Sequence, residues 1–331
     1  MVPILSPIAK RWSHQQLMTR MKRQLTCVQN RTKSIRPSDV LLVSCLRNEK
    51  ARMAFFCDYY RRLGVNHFLF IDNDSSDGFR DWAKDETDVS VWHTTASYKS
   101  SRFGMNWCNF LLNIYGVGHL CVTVDPDEFL VYPHAESRNL HDLGQHLKDF
   151  KRESMSVIML DAYSDRPLSD TILHEGENPF EVCPFFDRDG YIQTPHPMNG
   201  IFIRGGPRMR YYTAEKPALS PALNKISLVW WQPRYRYISS MHDMRPWRLN
   251  QPNSEDAISV SGCLFHFKFV SSLKDKAEEE RTRRQHYAQG REYEQYRRER
   301  DPVFYEEGLS VRYQSPRQLV DLGLMNVGDW V

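Results

Sequence analysis

The chain has 331 residues, with 41% apolar and 26% charged side chains and a net charge of only +3. That length buries one large core or two ordinary ones, and so small a charge excludes a molecule that binds polyanions over its whole surface. The seven cysteines are scattered and contain no C-x-x-C pair, which argues against a zinc or disulfide framework and for a reducing, cytoplasmic compartment.

Charge is unevenly placed. Residues 1–37 hold eight of the 44 basic residues (Lys10, Arg11, Arg20, Lys22, Arg23, Arg31, Lys33, Arg36) and no acid. This basic leader is expected as a loosely ordered tail or, through Leu17, Met18, Met21 and Leu25, as a peripheral contact on an anionic membrane surface. Val2 to Ala9 carries two prolines and is too short to span a bilayer, and basic residues follow the apolar ones, the reverse of a secretory signal.

After Pro37 strands and helices alternate. Val40 to Leu46 is a nearly continuous apolar run, suited to a strand buried on both faces, and it ends in Arg47-Asn48-Glu49. Helical periodicity runs through Met53, Phe56, Tyr59, Tyr60 and Leu63 and stops at Gly64, a natural C-cap. His67 to Ile71 is the next strand, leading into Asp72-Asn73-Asp74-Ser75-Ser76-Asp77-Gly78. A short helix (Phe79 to Ala83), a strand (Val89 to Trp92) and a helix (Met105 to about Tyr115) follow. The strand from His119 to Val124 then delivers Asp125-Pro126-Asp127-Glu128. Such alternation predicts an α/β fold with a mostly parallel sheet flanked by helices. Ligands of these sheets sit beyond the carboxyl ends of the strands. The clusters 47–49, 72–77 and 125–128 all fall there.

Beyond residue 130 the pattern loosens. A helix is expected from Leu140 to Phe150 and a short strand from Ser156 to Asp161, then long loops over 163–200. Strands follow from Gly200 into the Gly205-Gly206 turn and from Asn224 to Trp231. Leu264 to Phe269 alternates apolar and polar residues, as a half-exposed strand would. Leu273 to about Arg300 reads as a charged surface helix. The acids interleaved with its arginines argue against nucleic-acid binding.

Three carboxylates within four residues repel one another unless something positive sits among them. A hard divalent cation, Mn²⁺ or Mg²⁺, is the simplest such group. No G-x-G-x-x-G or P-loop occurs, which disfavours dinucleotide oxidoreductases and P-loop NTPases. A carboxylate such as Asp72 can instead accept hydrogen bonds from a base N–H or sugar hydroxyls, while Ser75, Ser76 and Asp77 suit helix caps.

Cys45-Leu46-Arg47-Asn48-Glu49, Ile71-Asp72-Asn73-Asp74-Ser75-Ser76-Asp77-Gly78 and Val124-Asp125-Pro126-Asp127-Glu128-Phe129 together resemble successive motifs of family 2-like nucleotide-sugar glycosyltransferases with the GT-A fold. Phe265-His266-Phe267-Lys268 is similar to a later H-[FY]-K segment of that family, and the resemblance covers roughly residues 38–300. After the basic leader (1–37) it implies a nucleotide-sugar-binding half (38–135) and an acceptor-binding half (136–272); the charged helix with its tail (273–331) follows. Arg47, Asn48 and Glu49 would line the nucleotide pocket, with Asp72 and Asp77 on base and ribose. Asp127, helped by Asp125, would hold Mn²⁺ or Mg²⁺ against the donor diphosphate, and His266 would complete the metal shell or touch the diphosphate.

An inverting transfer needs a base for the acceptor hydroxyl. Asp161, Asp165, Asp187, His242 and Asp243 are the candidates, with Asp187 first and Asp161 next. Arg102, Arg204 or Lys268 could help to neutralise the leaving diphosphate, and 163–200 is the segment expected to close over the site. Trp230, Trp231, Tyr235 and Trp247 could stack on sugar rings of a glycan or lipid-linked glycan acceptor. A metal-dependent phosphotransferase or phosphohydrolase, and a GT-A-like binding protein without catalysis, are the alternatives.

Overall fold

The computed structural model describes residues 7–196, 200–250, 259–273 and 301–330. In the first half of the chain the strands are β1 (Thr26–Gln29), β2 (Val40–Leu46), β3 (Val65–Asp72), β4 (Val89–His93), β5 (Leu120–Thr123), β6 (Glu128–Val131) and β7 (Ser154–Asp161). The second half adds β8 (Phe185–Asp187), β9 (Ile192–His196), β10 (Gly200–Arg204), β11 (Asn224–Trp230), β12 (Arg236–Ser239), β13 (Asp243–Arg245), β14 (Gly262–His266) and β15 (Ser310–Arg312). The helices that matter below are α1 (Pro7–Gln24), α2 (Lys50–Arg62), α3 (Phe79–Lys84), α4 (Met105–Leu111), α5 (Leu140–Asp149), α6 (Pro179–Val182) and α7 (Gly206–Tyr212).

Nine strands make the central sheet, in the order β1-β4-β3-β2-β5-β11-β7-β14-β6. β4, β3, β2 and β5 are parallel neighbours, as are β7 and β14. β11 runs antiparallel to β5 and β7, and the edge strands β1 and β6 are antiparallel to theirs. The fold is thus mixed α/β, with most strands pointing one way and helices on the faces. The carboxyl ends of β2, β3, β5, β7 and β14 share one edge, and the reversed β11 begins at that edge.

The apolar run of β2 is buried at every residue, as expected for a central strand. On one face Phe56, Tyr60, Phe70, Phe79, Phe129 and Leu143 belong to one core cluster. On the other, Leu41, Val43, Trp107, Leu111 and Trp231 form a second. A fully buried side chain of this size stabilises the fold by roughly 1.5–3 kcal/mol. Gly64 has φ +100°, and a Cβ there would lie 3.2 Å from the His141 ring, so the end of α2 turns tightly against the start of α5. Asn139 and Asp142 close a capping box at that start.

Three sequence expectations change. Within the basic leader, β1 pairs with β4 at the sheet edge, and Trp107 Nε1 donates to Gln24 Oε1 at 2.9 Å. Met21 and Leu25 are buried in the second core cluster, with Leu17 and Met18 packed against it, so these apolar residues face protein. The segment 163–200 is not one long loop: it holds α6, β8 and β9, because β8 pairs with β15 and β9 with β10. The strand ending at His266 is buried throughout instead of half-exposed, because β7 and β6 flank it and both faces are covered. The charged stretch beyond Leu273 lies outside the described residues. Among the described residues no helix is long and apolar enough to cross a membrane.

Candidate functional site

The loops after β2 and β3 are laced to each other. Arg47 donates from Nη1 to Asn73 O at 2.8 Å and to Asp74 O at 2.6 Å. Asn48, at φ 53°, accepts from Ser76 N on Oδ1 at 2.8 Å and donates its own N–H to Ser75 Oγ at 2.9 Å. Asp77 accepts from Lys50 N at 2.7 Å and from Phe79 N at 3.1 Å, which ties the starts of α2 and α3 together. Asp72 is wholly buried; Oδ1 accepts from Ser75 N at 2.8 Å and Oδ2 lies 3.2 Å from Arg80 Nε. Glu49 stands before α2, 3.2 Å from the buried Arg52 guanidinium. The structure therefore brings the two clusters side by side; Asp72 Oδ1 is held by the loop itself, while the buried Oδ2 faces Arg80 without a hydrogen-bond partner among the described residues.

The acidic motif sits between β5 and β6. Tyr60 fixes β6, donating to Glu128 O at 2.9 Å and accepting from Leu130 N at 3.1 Å. Phe129 points into a nest of rings from Phe55, Phe56, Tyr59, Phe180 and Phe267. Phe267 N donates to Asp127 O at 2.9 Å, which pins the motif to the end of β14. The positive charge among the carboxylates comes from Lys225, near the start of β11. Its ammonium pairs with the fully buried Glu128 and lies 3.4 Å from Asp125 Oδ2. Burial works against the charged form, but Glu128 and Asp125 outweigh it and raise the Lys225 pKa. Sequence reasoning missed this residue. Its signal was a lysine inside the otherwise apolar strand Lys225-Ile226-Ser227-Leu228-Val229, where a buried charge needs a buried partner.

Asp127 instead faces His266, whose Nε2 lies 3.4 Å from Asp127 Oδ2. His266 and Asp161 are register partners at the ends of β14 and β7, and His266 Nδ1 is 2.7 Å from Asp161 Oδ1. Arg208 of α7 closes the chain behind them, donating from Nε to Asp161 Oδ2 at 2.6 Å. Burial pulls the Asp161 pKa up, but the charges of Arg208 and His266 outweigh it and hold the carboxyl below its usual value. Burial likewise opposes a charged His266, yet Asp127 and Asp161 win and raise its pKa to about 9. The result is a row, Arg208–Asp161–His266–Asp127, that runs from the core to the open edge.

Asp187 belongs elsewhere. It is 2% exposed, takes two bonds from Arg210 at 2.9 and 3.1 Å, and accepts from the Tyr163 hydroxyl. Both of its oxygens are engaged within the β8–β15 layer, so it does not join the row. His242 donates from Nδ1 to Asn224 O, the two atoms being 2.6 Å apart; burial first, and the Lys225 charge second, depress its pKa to about 4. Asp165 is exposed, and Asp243 starts β13. Trp231 is fully buried, Tyr235 nearly so, and Trp230 donates from Nε1 to Gly144 O, so these rings pack the fold. Trp247 is partly exposed beneath the Arg245 guanidinium.

Among the described residues no group of three His, Cys, Asp or Glu side chains stands in metal-holding geometry. The edge offers Asp127 and His266, while Asp125 is turned to Lys225. A Mg²⁺ or Mn²⁺ ion held by one or two protein groups and completed by phosphate oxygens needs no larger set. The pair fits that role. No family model matches this sequence, and no curated protein is significantly similar to it.

Proposed function

We propose that the chain is a metal-dependent glycosyltransferase of GT-A type, moving a sugar from a nucleotide-sugar donor to a hydroxyl of a glycan or lipid-linked glycan with inversion, in the cytoplasm. The observation that carries this reading is the approach of Asp127 and His266 to 3.4 Å, from strands far apart in sequence. They meet at the strand edge where the 47–49 and 72–77 loops also close.

In this reading Asp127 and His266 hold Mn²⁺ or Mg²⁺. The bound cation supplies the Lewis-acid charge that makes a nucleoside diphosphate a competent leaving group. Asp161 fixes the imidazole through Nδ1 so that Nε2 faces the edge, and Arg208 fixes Asp161. Lys225 neutralises Glu128 and draws Asp125 aside, which leaves the cation to Asp127. Arg47, Asn48 and Glu49 shape the rim for base and ribose. Asp161, held below its usual pKa by Arg208 and His266, is a poor base at neutral pH and is assigned to positioning; so is Asp187, whose two oxygens are both engaged by Arg210 and Tyr163.

A panel of nucleotide sugars tests the proposal. At least one should be hydrolysed or transferred in the presence of Mn²⁺ and not with a chelator, and Asp127→Ala should lower that rate by 100-fold or more while leaving the unfolding midpoint near wild type. The reading fails if no donor is turned over, or if the variant keeps the wild-type rate.

A further inference from the structure

A second charged feature lies on the β12–β13 ribbon. Arg236 and Arg245 are direct cross-strand partners, so their side chains leave the same face with Cβ atoms roughly 5 Å apart. The next pair along, Tyr237 and Met244, is fully buried in the second core cluster, which puts the arginines on the outer face. Like charges directly opposite one another destabilise a ribbon. Arg245 is steadied by lying 3.3 Å over the Trp247 ring.

A third arginine joins them from the connection between β4 and α4. Burial, and then the charge of Arg102, lower the Arg236 pKa; burial and Arg236 lower that of Arg245, with Asp243 opposing. Among the described residues none of the three guanidinium groups makes an ion pair or a hydrogen bond. Arg236 and Arg245 are partly buried, each is repelled by a neighbouring arginine, and Asp243 is the acid that opposes them at Arg245, which leaves the cluster with an excess of positive charge.

The backbone beneath Arg102 is strained as well. Arg102, Phe103 and Gly104 lie consecutively in the left-handed region at φ 55°, 56° and 78°. A non-glycine residue there costs on the order of 1–3 kcal/mol, and such outliers cluster at ligand sites. The conformation is held by Phe103 N donating to Tyr98 O and Gly104 N donating to Ser101 Oγ, both at 2.9 Å. Gly104 is pressed against the end of β2, where a Cβ would come within 2.9 Å of Cys45 Sγ.

We propose that Arg102, Arg236 and Arg245 form a binding site for a phosphoryl dianion. Guanidinium forks match phosphate oxygens bidentately, and a doubly charged group suits three arginines opposed by the one acid Asp243. The phosphoryl group belongs either to a soluble phosphate ester or diphosphate or to a lipid headgroup. Binding here needs no divalent cation, which separates its test from that of the sugar-transfer reading.

The test compares wild type with the Arg236→Gln, Arg245→Gln double variant, using inorganic pyrophosphate at matched ionic strength and, separately, vesicles containing phosphatidic acid. Pyrophosphate should raise the wild-type melting temperature and bind the double variant at least tenfold more weakly. Without ligand the variant should melt at or above wild type, because repulsion has been relieved; misfolding therefore cannot mimic the result. Vesicle binding that is lost in the variant, without any response to pyrophosphate, assigns the phosphate to a lipid. The proposal is overturned if wild type responds to neither probe, or if the double variant responds as wild type does.

Discussion

Asp161 and Asp187 look alike by the usual marks of importance. Both end strands, both are no more than 2% exposed, and both hold an arginine. They differ in where the chain of contacts goes next. From Asp161 it passes to His266 and on to Asp127, whose side chain is 19% exposed at the strand edge. From Asp187 it turns inward to Tyr163, which is 2.8 Å from Ser310. Burial and an arginine partner therefore do not separate a site from an anchor. The route to the open edge does.

That distinction can be broken at several points. The largest effect is expected from Asp187→Ala, which strands Arg210 and the Tyr163 hydroxyl. Removing one partner of a buried pair costs about 3 kcal/mol or more, to be read as a lower urea midpoint. Binding of Mn²⁺ by the folded variant should match wild type; a shift in that affinity would place Asp187 in the site after all.

Next come two histidines with opposite pH signatures. The folded pKa of His266 is raised to about 9, so its stabilisation is complete below the unfolded value near 6.5 and is lost as pH rises through 9. The folded pKa of His242 is depressed to about 4, so its stabilisation is complete above about 6.5 and is lost as pH falls through 4. Each limb is worth on the order of 3 kcal/mol in metal-free protein. Stability measured against pH should peak near neutrality, with His266→Gln flattening the alkaline limb and His242→Gln the acid one. The same limb flattening in both variants would contradict the assignment. The smallest effect belongs to Tyr163→Phe, about 1–2 kcal/mol for the hydroxyl's bonds to Asp187 and Ser310, seen in the unfolding midpoint and absent from Mn²⁺ affinity.

How much of this was legible in the sequence divides near residue 130. Val40–Leu46, the 3.6-residue period of α2 and the polar ends of β2, β3 and β5 are local patterns, and local patterns survive into the fold. The pairing of Asp127 with His266 was legible as a resemblance between motifs. What could not be read was whatever depends on strand order. An antiparallel β11 slips between β5 and β7 and carries Lys225 to the acidic motif, so a lysine does part of what a cation was expected to do alone. Asp161 was read as a base because it follows a strand; parallel register with β14 makes it the support of His266. Asp72 was read as a ligand contact; Ser75 N turns one of its oxygens into its own loop, which the side-chain pattern did not show. Each miss needed a partner more than 12 residues away or a backbone turn that side-chain patterns do not encode.

The central claim is that Asp127 and His266, and not Asp187, hold the divalent cation that grips a donor diphosphate. Mn²⁺ titration followed by electron paramagnetic resonance, in the presence of a nucleoside diphosphate, tests it most directly. Wild type and Asp187→Asn should bind Mn²⁺ alike, whereas Asp127→Asn and His266→Gln should bind it at least tenfold more weakly. Wild-type affinity in Asp127→Asn, or its loss in a folded Asp187→Asn alone, would contradict the account.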